Sequence, residues 1–307
     1  MILEVYQIIL LIFIGALVGI SMSFIGQTGQ GVVVPLILII TGDVFLAIAI
    51  SVLNDLIAAI AVGFNYTRNK QFYFRRDILI LMLIASIAAF FGVFILITTP
   101  LGAVFGWGIP IFIICLGFGI IRKGFPTSES VQRTVNNIIK RFSKNDLNDL
   151  EYKESQSNFK EPDPVQNEEI QGFIKPHSKL FYILAIILGM IVGFNSGMFG
   201  ASSGFIITIV LIILYGYPIK KSVGTALLLS IFMCFLTFSI YQLLGFTIKD
   251  QFYYNWEFTL YLGIGSFITG FIVSNYVQRL SAKAMGRGMG ATMISLGIIS
   301  LIFYFLM

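Results

Sequence analysis

Charge is what this sequence has least of. Asp, Glu, Lys and Arg make up 11% of its 307 residues, against about 25% in soluble chains, whose surface must face water. A chain this long with so few charges cannot cover a water-soluble surface. Histidine occurs once, at His177 in a polar stretch, which argues against a histidine-based metal site. The two cysteines, Cys115 and Cys234, lie inside apolar runs and supply neither a disulfide framework nor a metal pair. Neither a metal nor a cofactor is expected. The net charge of +5 does not point to nucleic acid, because Lys and Arg sit at the ends of apolar runs, where the positive-inside rule places them. The first apolar stretch lacks a basic leader and a small-residue cleavage site, so it reads as a retained helix and not a signal peptide.

What is abundant is apolar: 57% hydrophobic residues and a mean hydropathy of +0.90. Runs long enough to span a bilayer, roughly 17 to 25 residues, fall at 6–25, 44–66, 78–97 and 101–121, and again at 180–199, 219–244, 257–277 and 285–307. Two shorter runs, 31–40 and 204–214, reach only about 15 Å at about 1.5 Å per residue, half a bilayer. Each half therefore reads long, short, long, long, long. The expected fold is an all-α polytopic membrane protein with a first transmembrane repeat at 1–121, a linker at 122–178 and a second repeat at 179–307.

The linker opens with Val131, Val135, Ile138, Ile139 and Phe142 at helical spacing among Arg133, Lys140, Arg141 and Lys144, the pattern of a basic amphipathic interfacial helix. Residues 145–169 are acidic, contain Pro162 and Pro164, and are expected to be disordered. The simplest role for the whole segment is a tether between halves.

Orientation follows from the basic clusters. Arg68, Lys70, Arg75 and Arg76 form one, Arg122 and Lys123 a second, Lys220 and Lys221 a third, and Arg279, Lys283 and Arg287 a fourth. Placing all four in the cytoplasm is consistent at every crossing and puts both chain termini outside, with the linker cytoplasmic. It also makes the run after Asp43 travel inward and its counterpart after Lys221 travel outward, so the halves are expected to be inverted.

An offset of about 174 positions superimposes Gly15, Gly19 and Gly26 on Gly189, Gly193 and Gly200, Gly42 on Gly216, and Ser51 on Thr225. With small insertions Asn65-Tyr66 falls near Tyr241, and Gly92 near Gly270. Paired, glycine-interrupted segments in two halves are the pointer to a secondary transporter with a midplane site.

The breaks themselves read Gly26-Gln27-Thr28-Gly29-Gln30-Gly31 and Gly200-Ala201-Ser202-Ser203-Gly204. Glycine lets the backbone leave helical geometry, and such backbone is tolerated at membrane depth only when buried in protein or lining a wet cavity. Each short run then starts with a helix N-terminus whose free N–H groups and positive dipole end suit an anion. Close helix packing would account for the small residues alone. It does not account for Gln27 and Gln30, whose amides are costly in lipid without a partner. Asp55, beside Asn54 in the middle of the second long run, is an intramembrane carboxylate and so a functional candidate, for proton coupling or for a structural hydrogen bond. Tyr66, Asn65, Tyr241 and Gln242 are expected near pore mouths, the tyrosines as interfacial anchors.

These residues resemble the sulfite exporter TauE/SafE family of membrane transporters. Its repeats carry a Gly-rich run of the type G-x-G-G-G, an aliphatic stretch with Pro, and an A-V-G-T-S-L type segment in the next helix. The first half matches with Gly26, Gly29, Val32-Val33-Val34 and Pro35, the second with Gly200, Gly204, Phe205 and Val223-Gly224-Thr225-Ala226-Leu227. Thr28, Gln30, Ser202 and Ser203 stand where glycines are expected, and Ile209 stands for the second Pro. The resemblance implies transport of sulfite, sulfonates or related small anions, with protons as a candidate coupling ion. The substrate-binding candidates are Gly26, Gln27, Thr28, Gly29, Gln30, Gly31, Asn54, Gly200, Ala201, Ser202, Ser203, Gly204 and Thr225, with Asp55 for the proton. An anion channel on the same scaffold is the alternative. An intramembrane enzyme is disfavoured, because the sequence shows no His pair, Ser-Lys or Asp pair for acid–base chemistry, Asp55 being the only clear acid in mid-run.

Overall fold

The computed structural model describes residues 4–26, 30–73, 76–99, 179–199, 204–215 and 217–306, with isolated positions at 114–115, 118–119 and 122. Nine helices run through these residues: α1 Val5–Ile25, α2 Gln30–Thr41, α3 Val44–Arg68, α4 Arg76–Thr98, α5 Lys179–Phe199, α6 Gly204–Tyr215, α7 Ile219–Lys249, α8 Trp256–Val277 and α9 Ala282–Leu306. Among the described residues six helices are long and apolar enough to cross a membrane, and no strand occurs. The expected run at 101–121 and the linker at 122–178 lie outside the described residues, apart from those isolated positions.

Helix boundaries follow local chemistry. Asp43 caps α3 by accepting from the amides of Phe45 at 2.9 Å and Leu46 at 3.1 Å, and Asn255 does the same for Glu257 and Phe258 at the start of α8. Such caps satisfy amides that the first helical turn leaves without partners. Gly42 takes a left-handed turn, φ +71°, and so reverses the chain between α2 and α3. The largest departure from expectation is α7, which continues past 244 to Lys249 and ends at a left-handed Asp250. Its 31 residues span about 46 Å, longer than the hydrocarbon layer of about 30 Å.

The helices exchange partners between halves. α1 packs against α8, and α5, which the sequence offset pairs with α1, packs against α4. α3 and α7 pack on each other at the centre, each carrying its own short helix, α2 or α6. The start of α3 meets the chain just past the end of α7, with the Phe45 and Tyr253 rings 5.4 Å apart. At the other end Tyr73, just past α3, bonds Thr225 near the start of α7. The two central helices therefore run antiparallel.

Lipid offers no hydrophobic drive for helices to associate, so close backbone approach between small residues carries the packing. A Cβ at Gly15 or Gly19 would overlap backbone carbonyls of α8, and one at Gly193 or Gly197 would overlap those of α4. Ile9, Phe13, Leu83, Phe91, Phe235, Ile268 and Ile272 are exposed on the outside, where acyl chains replace water as solvent.

The swapped contacts give a direct test. Gly193→Ala drives a methyl into the Ala85 carbonyl and should destabilise the purified protein by about 1–3 kcal/mol. Thermal unfolding in detergent reads this as a clear fall in Tm; an unchanged Tm would contradict the α4–α5 packing.

Candidate functional site

The two glycine breaks touch. Gly26 ends α1 in the left-handed region, φ +65°, with its N–H on the Met22 carbonyl at 2.8 Å. Gly204, the first residue of α6, lies so close that a Cβ there would overlap the Gly26 carbonyl oxygen. The same added Cβ would stand 2.8 Å from Ser230 Oγ in α7, and the Leu227 side chain closes the other flank of Gly26. The C-terminal end of one broken helix thus meets the N-terminal end of the opposite half's short helix. Gln27, Thr28, Gly29, Gly200, Ala201, Ser202 and Ser203, together with the Gln30 side chain, lie outside the described residues.

α2 and α3 form a helical hairpin closed at Gly42-Asp43. Equal rises of about 1.5 Å per residue set the first turn of α2 level with Asn54 and Asp55. The same reasoning on α6 and α7 puts Gly204 level with Ser230, as observed. Pro35 sits inside α2 and has no N–H, so the Gly31 carbonyl loses its helical donor. Asn54 and Asp55 are both fully buried. Asn54 Oδ1 accepts from Ser266 Oγ of α8 at 2.9 Å. Its Nδ2, and Ser51 Oγ one turn earlier, have no partner among the described residues. A buried polar atom left unpaired costs about 1–3 kcal/mol, which makes these two groups the candidates on α3 for meeting a polar partner.

Thr225 serves a different neighbour. Its hydroxyl accepts from the Tyr73 amide at 2.9 Å and donates to the Tyr73 carbonyl at 3.1 Å. Gly224 beside it makes room for the Gln71 carbonyl and the Tyr66 ring. The Lys221 ammonium bonds the Tyr73 hydroxyl and lies 4.0 Å from the centre of its ring. The connection after α3 is in this way clamped onto α7. The connection after α7 is held by Gln242 Nε2, which donates to the Tyr253 carbonyl at 2.7 Å, and by the Phe45–Tyr253 ring contact. Burial, and secondarily the Asp43 carboxylate, raise the Tyr253 phenol above its ordinary value, so it stays neutral in that contact.

The expectation that Tyr66 and Tyr241 anchor at the interface is corrected: both are completely buried. Tyr66 Oη donates to the Ser23 carbonyl at 3.2 Å, and Tyr241 Oη to the Gly197 carbonyl at 2.7 Å. Ser23 and Gly197 are themselves related by the internal offset. An aromatic at a run's end reads as interfacial by position alone; its recurrence at matching places in both halves is the signal that points inward. Asn65 also turns inward, donating to the Phe271 carbonyl at 2.6 Å and to Ser274 Oγ at 2.7 Å.

A shallow concavity of about 440 Å³ runs along α8 past Ile57, Trp256, Leu260 and Phe267. It is apolar and holds none of the candidate residues.

If Thr225 acts as a clamp, Thr225→Val should free the 69–73 connection while Thr225→Ser keeps it. Limited trypsin digestion at Lys70 should be several-fold faster in the valine variant; equal rates in both would sink the clamp.

A family model described as sulfite exporter TauE/SafE matches residues 11–299, covering both halves and the segment between them. Neither the curated proteins nor the solved structures yielded a match.

Proposed function

The chain belongs to the sulfite exporter TauE/SafE family, a family of membrane transporters and not of enzymes, and on that premise we propose that it moves sulfite, a sulfonate or a related small anion by alternating access about its paired breaks. The observation that carries this reading is the contact of Gly26 with Gly204. It brings two chain interruptions from opposite halves to one place, where helix N-termini can face one anion.

In this reading Gln27, Thr28, Gly29, Gln30 and Gly31 from the first half, and Gly200, Ala201, Ser202, Ser203 and Gly204 from the second, surround the substrate with amides and hydroxyls. Asn54 adds its Nδ2 donor from α3 at the level of the first turn of α2. Thr225 acts beside the site, through its clamp on Tyr73. Asp55 carries the coupling proton: a carboxylate fixed as an anion would repel the substrate, and a protonated one would not. The antiparallel central helices and the exchange of α1 and α5 between halves support an inverted repeat, with 122–178 as a cytoplasmic tether and both termini outside.

Uptake into proteoliposomes tests this. Wild-type protein should give saturable flux with at least one of sulfite, sulfoacetate, thiosulfate or sulfate, and an imposed pH gradient should change it. Asp55→Asn should transport without that pH response. An unchanged response would remove Asp55 as the proton site, and ohmic single-channel currents would replace the transporter with a channel.

A further inference from the structure

Tyr66 and Tyr241 do the same thing in the two halves. Each projects from the second half of a long central helix, Tyr66 in the last turn of α3 and Tyr241 about two turns before the end of α7, and each is completely buried. Each gives its phenolic proton to the last turn of the broken helix in its own half: Ser23 is two residues from the end of α1, and Gly197 two from the end of α5. Last-turn carbonyls have no donor further along their own helix, and together they form its negative dipole end. In the transport reading each negative end borders the break at which the anion would sit.

We infer that Tyr66 and Tyr241 are a matched pair of positioning residues for transport, each holding one broken helix end in place and drawing one of its carbonyls away from the anion. The inference rests on the transport reading above. Neither hydroxyl touches substrate; each acts through the backbone it caps. Tyr66 has further ties. Its own carbonyl accepts from the Gln71 amide at 2.9 Å, and its ring packs where Gly224 leaves room. The clamp of the 69–73 connection on α7 and the first break therefore meet at one side chain. A shift of that clamp would be felt at Ser23 through Tyr66.

Removing only the oxygen separates this role from simple packing. Tyr66→Phe and Tyr241→Phe keep the ring and its burial. Each should raise KM for the transported anion by about fivefold or more, with maximal flux per folded protein kept within about twofold. A purely structural hydroxyl would lower the amount of folded protein and leave KM unchanged, and that result would overturn the inference. Hydrogen–deuterium exchange supplies a readout that needs no transport. Tyr66→Phe should speed exchange in peptides covering 22–31 and leave 196–205 as in wild type, and Tyr241→Phe should do the reverse. Unaltered exchange at both breaks, or a uniform rise across the protein, would also overturn it. Because exchange is read whether or not the wild type moves an anion, failure of the transport reading and failure of this inference are separate results.

Discussion

Backbone that leaves helical geometry inside a bilayer has no water to bond, and this single constraint organises the rest of the molecule. Among the described residues, the end of α1 and the start of α6 meet at Gly26 and Gly204. Gly204 has no side chain because the Gly26 carbonyl occupies that space. Tyr66 and Tyr241 reach into the ends of α1 and α5, and α7 supplies Leu227 and Ser230 against Gly26 and Gly204. The swapped packing of α1 on α8 and α5 on α4 follows, since each broken helix must leave its own half to bring its end to the centre.

The consequence for function is an asymmetric lining in a repeated frame. In the first half, α3 buries Ser51, Asn54 and Asp55 on one face, whereas the matching stretch of α7 reads Thr225, Leu228 and Leu229. Thr225 spends its hydroxyl on Tyr73, and Ser230 is the buried hydroxyl of α7 that lies at the break, so the second copy brings a hydroxyl where the first brings an amide and a carboxyl. Polar groups that cost energy in a core persist where a ligand or proton meets them. Asn54 has its Oδ1 bonded by Ser266 and its Nδ2 without a partner among the described residues, which is why it is a candidate on α3.

Much of the architecture was legible in advance because membrane helices write their length directly into the hydropathy pattern. The short runs at 31–40 and 204–214 became α2 and α6 almost to the residue, since capping at Asp43 and the chain reversal at Gly42 leave little freedom. The far end of α7 runs beyond the apolar pattern to Lys249, because its last turn leaves the apolar layer and hydropathy no longer marks it. Side-chain direction was less readable. Tyr66 and Tyr241 looked like interfacial anchors, and Thr225 like a ligand contact, because residue type and depth do not say which neighbour a hydroxyl will find. The offset between halves held that information, once Ser23 and Gly197 are compared with their tyrosines.

The central claim is that an anion binds where Gly26 and Gly204 meet. Selenite, a heavier relative of sulfite, can be located by its anomalous scattering in crystals of the protein. The account predicts a peak within hydrogen-bonding distance, about 3 Å, of backbone amides at the first turns of α2 and α6. A peak confined to the outer groove along α8, or none at the breaks in protein that transports the anion, would contradict it.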